Sequence, residues 1–178
     1  MFLTIYTVAH VVLSLVGICS GFVVVFGLIA GRRLDGWTAL FLATTVATSL
    51  TGFGFPFVHF LPSHGVGIIS LLVLAVAIFA RYRSHLAGAW RWIYVVGAVA
   101  ALYFNVFVLV VQSFLKVPAL KEVAPTQSEP PFVVTQLVVM ALFVVLGIVT
   151  VIRFRRGSVD TPLKPPEVSR AKAASASH

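Results

Sequence analysis

The chain has 178 residues, of which 60% are hydrophobic and only 10% charged, and its formal net charge is +8. Soluble domains are about half apolar, so this composition excludes an ordinary soluble globular protein. The single cysteine, Cys19, excludes an intrachain disulfide and a thiolate metal cluster. The basic residues flank apolar segments, a pattern typical of membrane topology and contact with lipid headgroups, and this argues against nucleic acid as a partner.

Five long apolar runs dominate the sequence. They lie near residues 3–30, 37–58, 65–83, 90–114 and 132–154. A helix needs about 20 apolar residues to cross the roughly 30 Å hydrocarbon core of a bilayer. The runs therefore predict an all-α integral membrane bundle of five transmembrane helices within residues 1–156. Residues 157–178 are polar and aperiodic, which predicts a disordered cytoplasmic tail.

Arginines alternate between the loops. The first and third loops and the segment after the last run contain Arg32, Arg33, Arg81, Arg83, Arg91, Arg153, Arg155 and Arg156, whereas the second loop has no Lys or Arg. Cytoplasmic loops carry the excess of Lys and Arg, so the N-terminus is predicted outside and the C-terminus in the cytoplasm. No basic residue precedes the first run, which is interpreted as a retained transmembrane helix rather than a cleaved signal peptide.

Capping residues and prolines predict where the helices begin and end. The predicted helix starts are marked by Asp35, Ser63 and Ser128. Pro130 and Pro131 then fall in the first turn of the last helix, where a missing N–H costs little. Pro56 predicts that the second helix kinks or ends nearby, because proline removes a backbone donor and clashes with the preceding turn.

Small and polar residues within the runs recur at helical spacing. The stripes are His10, Ser14, Gly17 and Gly21 in the first run, Thr44, Thr48, Thr51 and Phe55 in the second, and Tyr94, Gly97, Ala101, Asn105, Val108 and Gln112 in the fourth. Small residues allow helices to approach closely, and Ser, Thr, Asn and Gln form hydrogen bonds between helices. The simplest interpretation is that these stripes are packing surfaces within the bundle.

Several polar residues also converge on the outer third of the predicted bundle, where a ligand site is the alternative interpretation. His10 lies about 10 Å below the outer surface at 1.5 Å per residue. The tentative cofactor-binding residues are His10, His59 and His64, and the tentative ligand-pocket residues are Asn105, Gln112 and Gln136. Two facing imidazoles could ligate the iron of haem b, and a quinone or another small ligand is the other candidate.

The motifs of common enzyme and transporter classes are missing from the sequence. None of the five carboxylates lies inside an apolar run, and no phosphate-binding loop, metalloprotease helix or Ser-His-Asp set is present. We therefore predict no catalytic residues. The leading hypothesis is a non-enzymatic accessory subunit or small-ligand-binding helix bundle; the second is a haem b- or quinone-binding redox protein, and the third a small transporter or channel. Expected partners are the lipid bilayer and either another membrane protein or a second copy. The most accessible docking surface is expected to be the outer loop of residues 115–131, with Glu122 and Glu129.

Three strings carry a resemblance to known proteins: residues 33–41 (RLDGWTALF), 88–94 (GAWRWIY) and 124–131 (APTQSEPP). With them, residues 3–154 resemble a family of small uncharacterised multi-pass proteins of the bacterial inner membrane. The resemblance implies that location and brings no assigned activity. A looser likeness links His10 to small haem-binding four-helix membrane cytochromes. Those proteins pair histidines deep in the bundle, whereas here only His10 is clearly inside a run.

Overall fold

A computed structural model describes residues 2–54 and 62–156 of the chain, and these residues are helical apart from short connections. The helices are α1 (Phe2–Ile29), α2 (Asp35–Gly52), α3 (Pro62–Ile78), α4 (Trp90–Lys116), a short α5 (Pro118–Val123) and α6 (Pro130–Arg156). Helix α3 continues into a π-helical turn at Phe79–Arg83. No strand occurs in these two ranges, so the predicted all-α architecture is confirmed for them.

Four of the helices are long and apolar enough to cross a membrane. The segments are Leu3–Ile29, Gly65–Arg83, Trp90–Lys116 and Pro130–Phe154, and they match the first, third, fourth and fifth apolar runs. Helix α2 has 18 residues and is not among these four; it contains Asp35, five threonines and one serine. The fifth span stays a prediction, as does the orientation of the termini.

Helix α2 begins at Asp35, where the sequence predicts a helix start, but Asp35 and Ser63 do not precede their helices as capping residues. The residue before α2 is Leu34, and no side chain caps this helix. Asp35 is instead the first helical residue, and its carboxylate pairs with Arg81. Helix α3 begins at Pro62, so Ser63 lies inside the helix rather than ahead of it.

The start of α6 agrees with the sequence prediction, but its N-cap residue does not. This helix begins at Pro130, as the two prolines predict. The residue before it is Glu129, whose carbonyl oxygen accepts hydrogen bonds from the N–H groups of Phe132 at 3.1 Å and Val133 at 3.2 Å. Ser128 is therefore not the N-cap. The predicted break at Pro56 and the predicted tail lie outside the described residues.

Helix α4 is the centre of the bundle, since it packs against α1, α3, α5 and α6. Its inward face is formed by fully buried residues of different sizes, including Tyr94, Ala98 and Leu102. Helix α1 lies mainly against α2, and α6 lies at the periphery, with only 6% of its apolar window buried. The shared core is consequently made mainly by α1, α2, α3 and α4, while α6 adds Phe143 and Phe154 and presents most of its surface outward.

Contacts between helices define two ends of the bundle. At one end, which we call the basic end, Arg81 reaches the start of α2, and the Arg91 guanidinium carbon lies 5.9 Å from the ring centre of Phe154 at the end of α6. At the other, the histidine end, the first turns of α1 meet the last turn of α2. The polar residues near His10 are therefore separated from the arginines by most of the length of the bundle.

Candidate functional site

The contact between α1 and α2 at the histidine end contains three polar side chains. Tyr6 and His10 are one helical turn apart, so they lie on the same face of α1. The Tyr6 hydroxyl donates to the carbonyl oxygen of Thr51 at 2.6 Å, and His10 Nδ1 lies 2.8 Å from Thr51 Oγ1. A Cβ atom at Gly54 would lie 2.0 Å from the Tyr6 hydroxyl oxygen, so glycine at this position leaves room for that hydroxyl.

The hydrogen bonds of Thr51 determine which nitrogen of His10 carries a proton. A threonine hydroxyl has one proton to donate. Thr51 Oγ1 donates that proton within its own helix, to the carbonyl oxygen of Ala47 at 2.7 Å. Its oxygen must then accept from His10, which assigns the proton to Nδ1 by the hydrogen-bond network. In the neutral imidazole the lone pair is then on Nε2, the nitrogen type that accepts a hydrogen bond or ligates a metal.

A second polar contact lies deeper, where α1, α2 and α4 meet. Asn105 Nδ2 donates to Thr45 Oγ1 at 3.1 Å, and both residues are buried. Gly17 makes this contact sterically feasible, because a Cβ atom there would lie 3.3 Å from Thr44 Oγ1 and 3.4 Å from Asn105 Nδ2. The predicted packing of polar and small stripes is thus found at atomic contact distance in this part of the bundle.

Thr48 lies between these two groups on α2, and its hydroxyl differs from those of its neighbours. Thr44 Oγ1 donates to the carbonyl oxygen of Leu40 at 2.7 Å, one turn back along the same helix. The Thr48 hydroxyl oxygen is buried and has no hydrogen-bond partner among the described residues. A buried unpaired hydroxyl costs about 1–3 kcal/mol, so a polar guest would be stabilised there. We name the whole set the polar column: Tyr6, His10, Gly17, Thr44, Thr45, Thr48, Thr51 and Asn105.

The three predicted ligand-pocket residues are in different surroundings. Asn105 belongs to the polar column. Gln136 is partly buried on α6, where its Nε2 donates to the carbonyl oxygen of Phe107 at 3.2 Å and its Oε1 is buried without a partner among the described residues. Gln112 is exposed. The hydrogen bonds of Asn105 and Gln136 thus go to different helices.

Of the three predicted cofactor-binding histidines, His10 forms a side-chain hydrogen bond within the described part of the chain. His59 lies outside the described residues, and His64 is in the first turn of α3. Among the described residues, no group of three His, Cys, Asp or Glu side chains is arranged to hold a metal ion.

A cluster of charged and aromatic side chains at the basic end was not predicted from the sequence. Arg81, in the π-helical turn, pairs with Asp35, and its guanidinium carbon lies 5.3 Å from the ring centre of Tyr94 and 5.7 Å from that of Tyr82. The Arg81 side chain is 8% exposed and that of Asp35 is 83% exposed. Because Arg81 and Asp35 are 46 residues apart in the chain, no local sequence pattern predicts their ion pair. The pair connects the start of α2 to the end of α3.

An apolar groove between α4 and α6 was also missed. It has a volume of about 480 Å³, and the residues that line it include Val96, Val99, Tyr103, Phe143, Gly147 and Val151. In the sequence these residues look like ordinary lipid-facing positions. Gly147 is the one local signal, since a small residue in a transmembrane helix marks a close helix contact.

The connection before α6 is held by an internal hydrogen-bond network. The Glu129 carboxylate accepts from the Thr126 N–H at 3.1 Å, the Thr126 hydroxyl at 2.9 Å and the Ser128 N–H at 3.1 Å. Partial loss of water tends to raise the pKa of Glu129, but these hydrogen bonds outweigh it, and the pKa is lowered from its ordinary value. Gln127 Nε2 ties the connection to the Val111 carbonyl oxygen of α4 at 2.9 Å. Glu129 is therefore engaged internally, whereas Glu122 on α5 is exposed.

Comparison of the chain with protein-family models, with curated proteins and with solved structures finds no match in any of the three. Inference of function therefore depends on the residues of the chain itself. Two features of the described structure bear on it directly. They are the polar column at the α1–α2–α4 contact and the apolar groove between α4 and α6.

Proposed function

We propose that this chain is a non-enzymatic, multi-pass membrane protein that binds a small membrane-soluble molecule at the polar column. The observation that carries the proposal is the hydrogen bond between His10 Nδ1 and Thr51 Oγ1, which holds a partly buried imidazole in a fixed orientation at the α1–α2 contact. The unpaired Thr48 hydroxyl on the same helix offers a further polar contact. A ligand with a hydroxyl group in an otherwise apolar body, such as a quinol, has the chemistry that this arrangement would recognise.

A haem b-binding protein is the second candidate, and the same histidine favours it. A histidine that ligates a metal through one nitrogen usually donates its other N–H to a nearby acceptor, which fixes the ring. His10 has that second hydrogen bond, to Thr51. On this hypothesis Nε2 would be one axial ligand, and His59 or His64 would supply the other.

We further propose that α2 is a fifth span, that the N-terminus lies outside, and that the protein resides in a bacterial inner membrane. The segregation of Arg32, Arg83 and Arg91 at one end supports this orientation, since cytoplasmic loops carry the positive charge. Should the chain act as an accessory subunit, the loop of residues 115–131 would be its docking surface. Glu122 is the exposed carboxylate of that loop, whereas Glu129 is engaged in hydrogen bonds within the loop.

Histidine variants test the ligand proposal. His10→Asn keeps a polar group near Thr51 but removes Nε2, and His85→Asn removes an exposed histidine at the basic end. Protein purified in mild detergent is titrated with a short-chain benzoquinol while its thermal unfolding is followed. We expect the ligand to raise the midpoint of unfolding of the wild type and of His85→Asn, but not of His10→Asn, because stabilisation by a ligand requires binding to the folded state.

An absorption spectrum of the same preparations, before and after reduction with dithionite, separates the two candidates. A Soret band that sharpens on reduction and is lost only in His10→Asn would establish haem and displace the small-ligand proposal. A featureless spectrum together with a quinol response that depends on His10 would support the small-ligand proposal. If no preparation responds to quinol and none absorbs, both candidates are wrong.

A further inference from the structure

We propose that Asp35 and Arg81 form a latch that holds the first turn of α2 against the end of α3, and that the Tyr94 hydroxyl accepts Arg81 when the latch opens. The latch is separate from the polar column and does not depend on a ligand there. Its basis is the presence of two acceptors beside one guanidinium group. The Asp35 carboxylate accepts from Arg81, whereas the Tyr94 hydroxyl oxygen is buried and has no hydrogen-bond partner in the described part of the chain.

The two members of the ion pair are unequally exposed to solvent. The Asp35 side chain is 83% exposed, and the Arg81 side chain is 8% exposed. An exposed carboxylate returns to water at little cost, but a buried guanidinium group left without its partner is strongly destabilising. Asp35 is therefore the partner that leaves, and Arg81 then needs another acceptor.

Tyr94 is placed to supply that acceptor. Its side chain is fully buried, and the Arg81 guanidinium carbon lies 5.3 Å from the centre of its ring. Thr38 and Arg81 both lie near the Tyr94 hydroxyl, but neither is in hydrogen-bonding geometry with it. A guanidinium group has five N–H donors and a phenol oxygen accepts, so a small shift of Arg81 makes the bond. That shift is favourable, because a buried hydroxyl without a partner is costly.

The first turn of α2 is the part of the latch that can move. No side chain caps this helix, and a Cβ atom added at Gly36 would have no atom within 4 Å. The segment that carries Arg81 is fixed by the core instead, because Ala80 and Leu86 on either side of the arginine are buried there. Arg81 lies in the π-helical turn Phe79–Arg83, and such turns are frequent at functional positions. Opening of the latch therefore frees the start of α2 and leaves α3 in place.

A double-mutant cycle tests the exchange of partners. The variant D35A removes the carboxylate, Y94F removes the hydroxyl, and the thermal unfolding of the full chain is followed in detergent. We expect Y94F alone to change the midpoint little, because the hydroxyl has no partner while the latch is closed, and D35A alone to lower it. The midpoint of D35A/Y94F should fall by roughly 4 °C more than the sum of the two single shifts, because Arg81 then has neither acceptor.

The matched control for the cycle is Y82F. Tyr82 also lies near Arg81, with its ring centre 5.7 Å from the guanidinium carbon, but it is half exposed. Its shift should add to that of D35A without any excess. Additive shifts in D35A/Y94F would show that Tyr94 does not replace Asp35, and the proposal would be overturned.

The movement of α2 is measured by the distance between two spin labels, using double electron–electron resonance. The labels are placed at G36C, where the space is open, and at the exposed A87C, in a chain whose native cysteine is removed by C19A. We expect one distance in this chain and an additional, longer distance when D35A is introduced. E122Q neutralises an exposed carboxylate at the histidine end and should leave the single distance unchanged. A distance distribution that D35A does not alter would overturn the latch, whatever the unfolding midpoints show.

Discussion

The threonines of α2 show how one residue type takes several roles within a single helix. The hydroxyls of Thr44 and Thr51 donate hydrogen bonds to carbonyl oxygens of their own helix, so their oxygens can accept a hydrogen bond from a neighbouring helix. Thr45 uses its oxygen to accept from Asn105 on α4. Thr48 does neither among the described residues, although its hydroxyl oxygen is buried. Its unsatisfied hydroxyl therefore marks the point in the polar column where a guest would be most stabilising.

The Asn105 hydrogen bond should make a measurable contribution to stability. Replacing Asn105 with Leu removes the donor to Thr45 and should lower the free energy of unfolding in detergent by about 1 kcal/mol, the usual size of a hydrogen bond between membrane helices. Gln112→Leu is the matched control, because Gln112 is an exposed amide on the same helix. Equal stability of the two variants would show that the Asn105–Thr45 bond contributes nothing.

At the scale of the elements, the close approach of α1 to its neighbours depends on glycine. A Cβ atom at Gly21 would lie 2.7 Å from Leu102 Cδ1 and 2.8 Å from Phe41 Cε2. These distances are far below van der Waals contact, so both neighbours would have to move. Gly21 thus sets the spacing between α1, α2 and α4 in the half of the bundle nearer the basic end.

Enlarging Gly21 should therefore separate these three helices. Gly21→Leu should destabilise the bundle by about 1–3 kcal/mol or more, because overpacking forces neighbouring side chains and backbone to shift. Gly36, the second residue of α2, has no atom within 4 Å of its virtual Cβ, so Gly36→Leu is the control. Thermal unfolding in detergent measures both, and a Gly21→Leu midpoint as high as that of Gly36→Leu would contradict the packing described.

The same scale shows what the sequence can and cannot predict. Apolar runs predicted the helices well, because hydrophobic length is a property of a continuous segment. Helices α2 and α6 begin at Asp35 and Pro130, as predicted, but the capping roles were mispredicted, because the Asp35 carboxylate pairs with Arg81 and the Ser128 hydroxyl contacts that of Thr126. Within the site, helical spacing identified His10 and Asn105 as inward-facing. Their partners Thr51 and Thr45 lie 41 and 60 residues away, and only tertiary structure brings them together.

For the whole molecule, the separation of charge between the two ends is the feature with the widest consequences. The described arginines are gathered at the basic end, while the histidine end has Lys116, Lys121 and two carboxylates. This asymmetry underlies the proposed orientation. The orientation of the termini in turn tests the number of spans, because an odd number places the two termini on opposite sides of the membrane.

Reporter fusions at the two termini and after Glu122 measure this directly. We expect a reporter that is active only outside the cytoplasm to be inactive at the C-terminus and active both at the N-terminus and after Glu122, as five spans require. If α2 did not cross, the termini would lie on the same side. Matching activity at the N- and C-termini would therefore contradict the fifth span.

The polarity of α2 has a consequence for how the protein is made. This helix carries Asp35 and a row of threonines, so it partitions into lipid less readily than its neighbours. Its polar groups find their partners on α1, α3 and α4, which means that contact with those helices favours its retention in the bilayer. Substitutions at the α1–α2 contact should then act first on biogenesis, by exposing nascent chains to membrane proteases. A substitution at Gly17 should therefore lower the cellular abundance of the protein more than its affinity for a ligand.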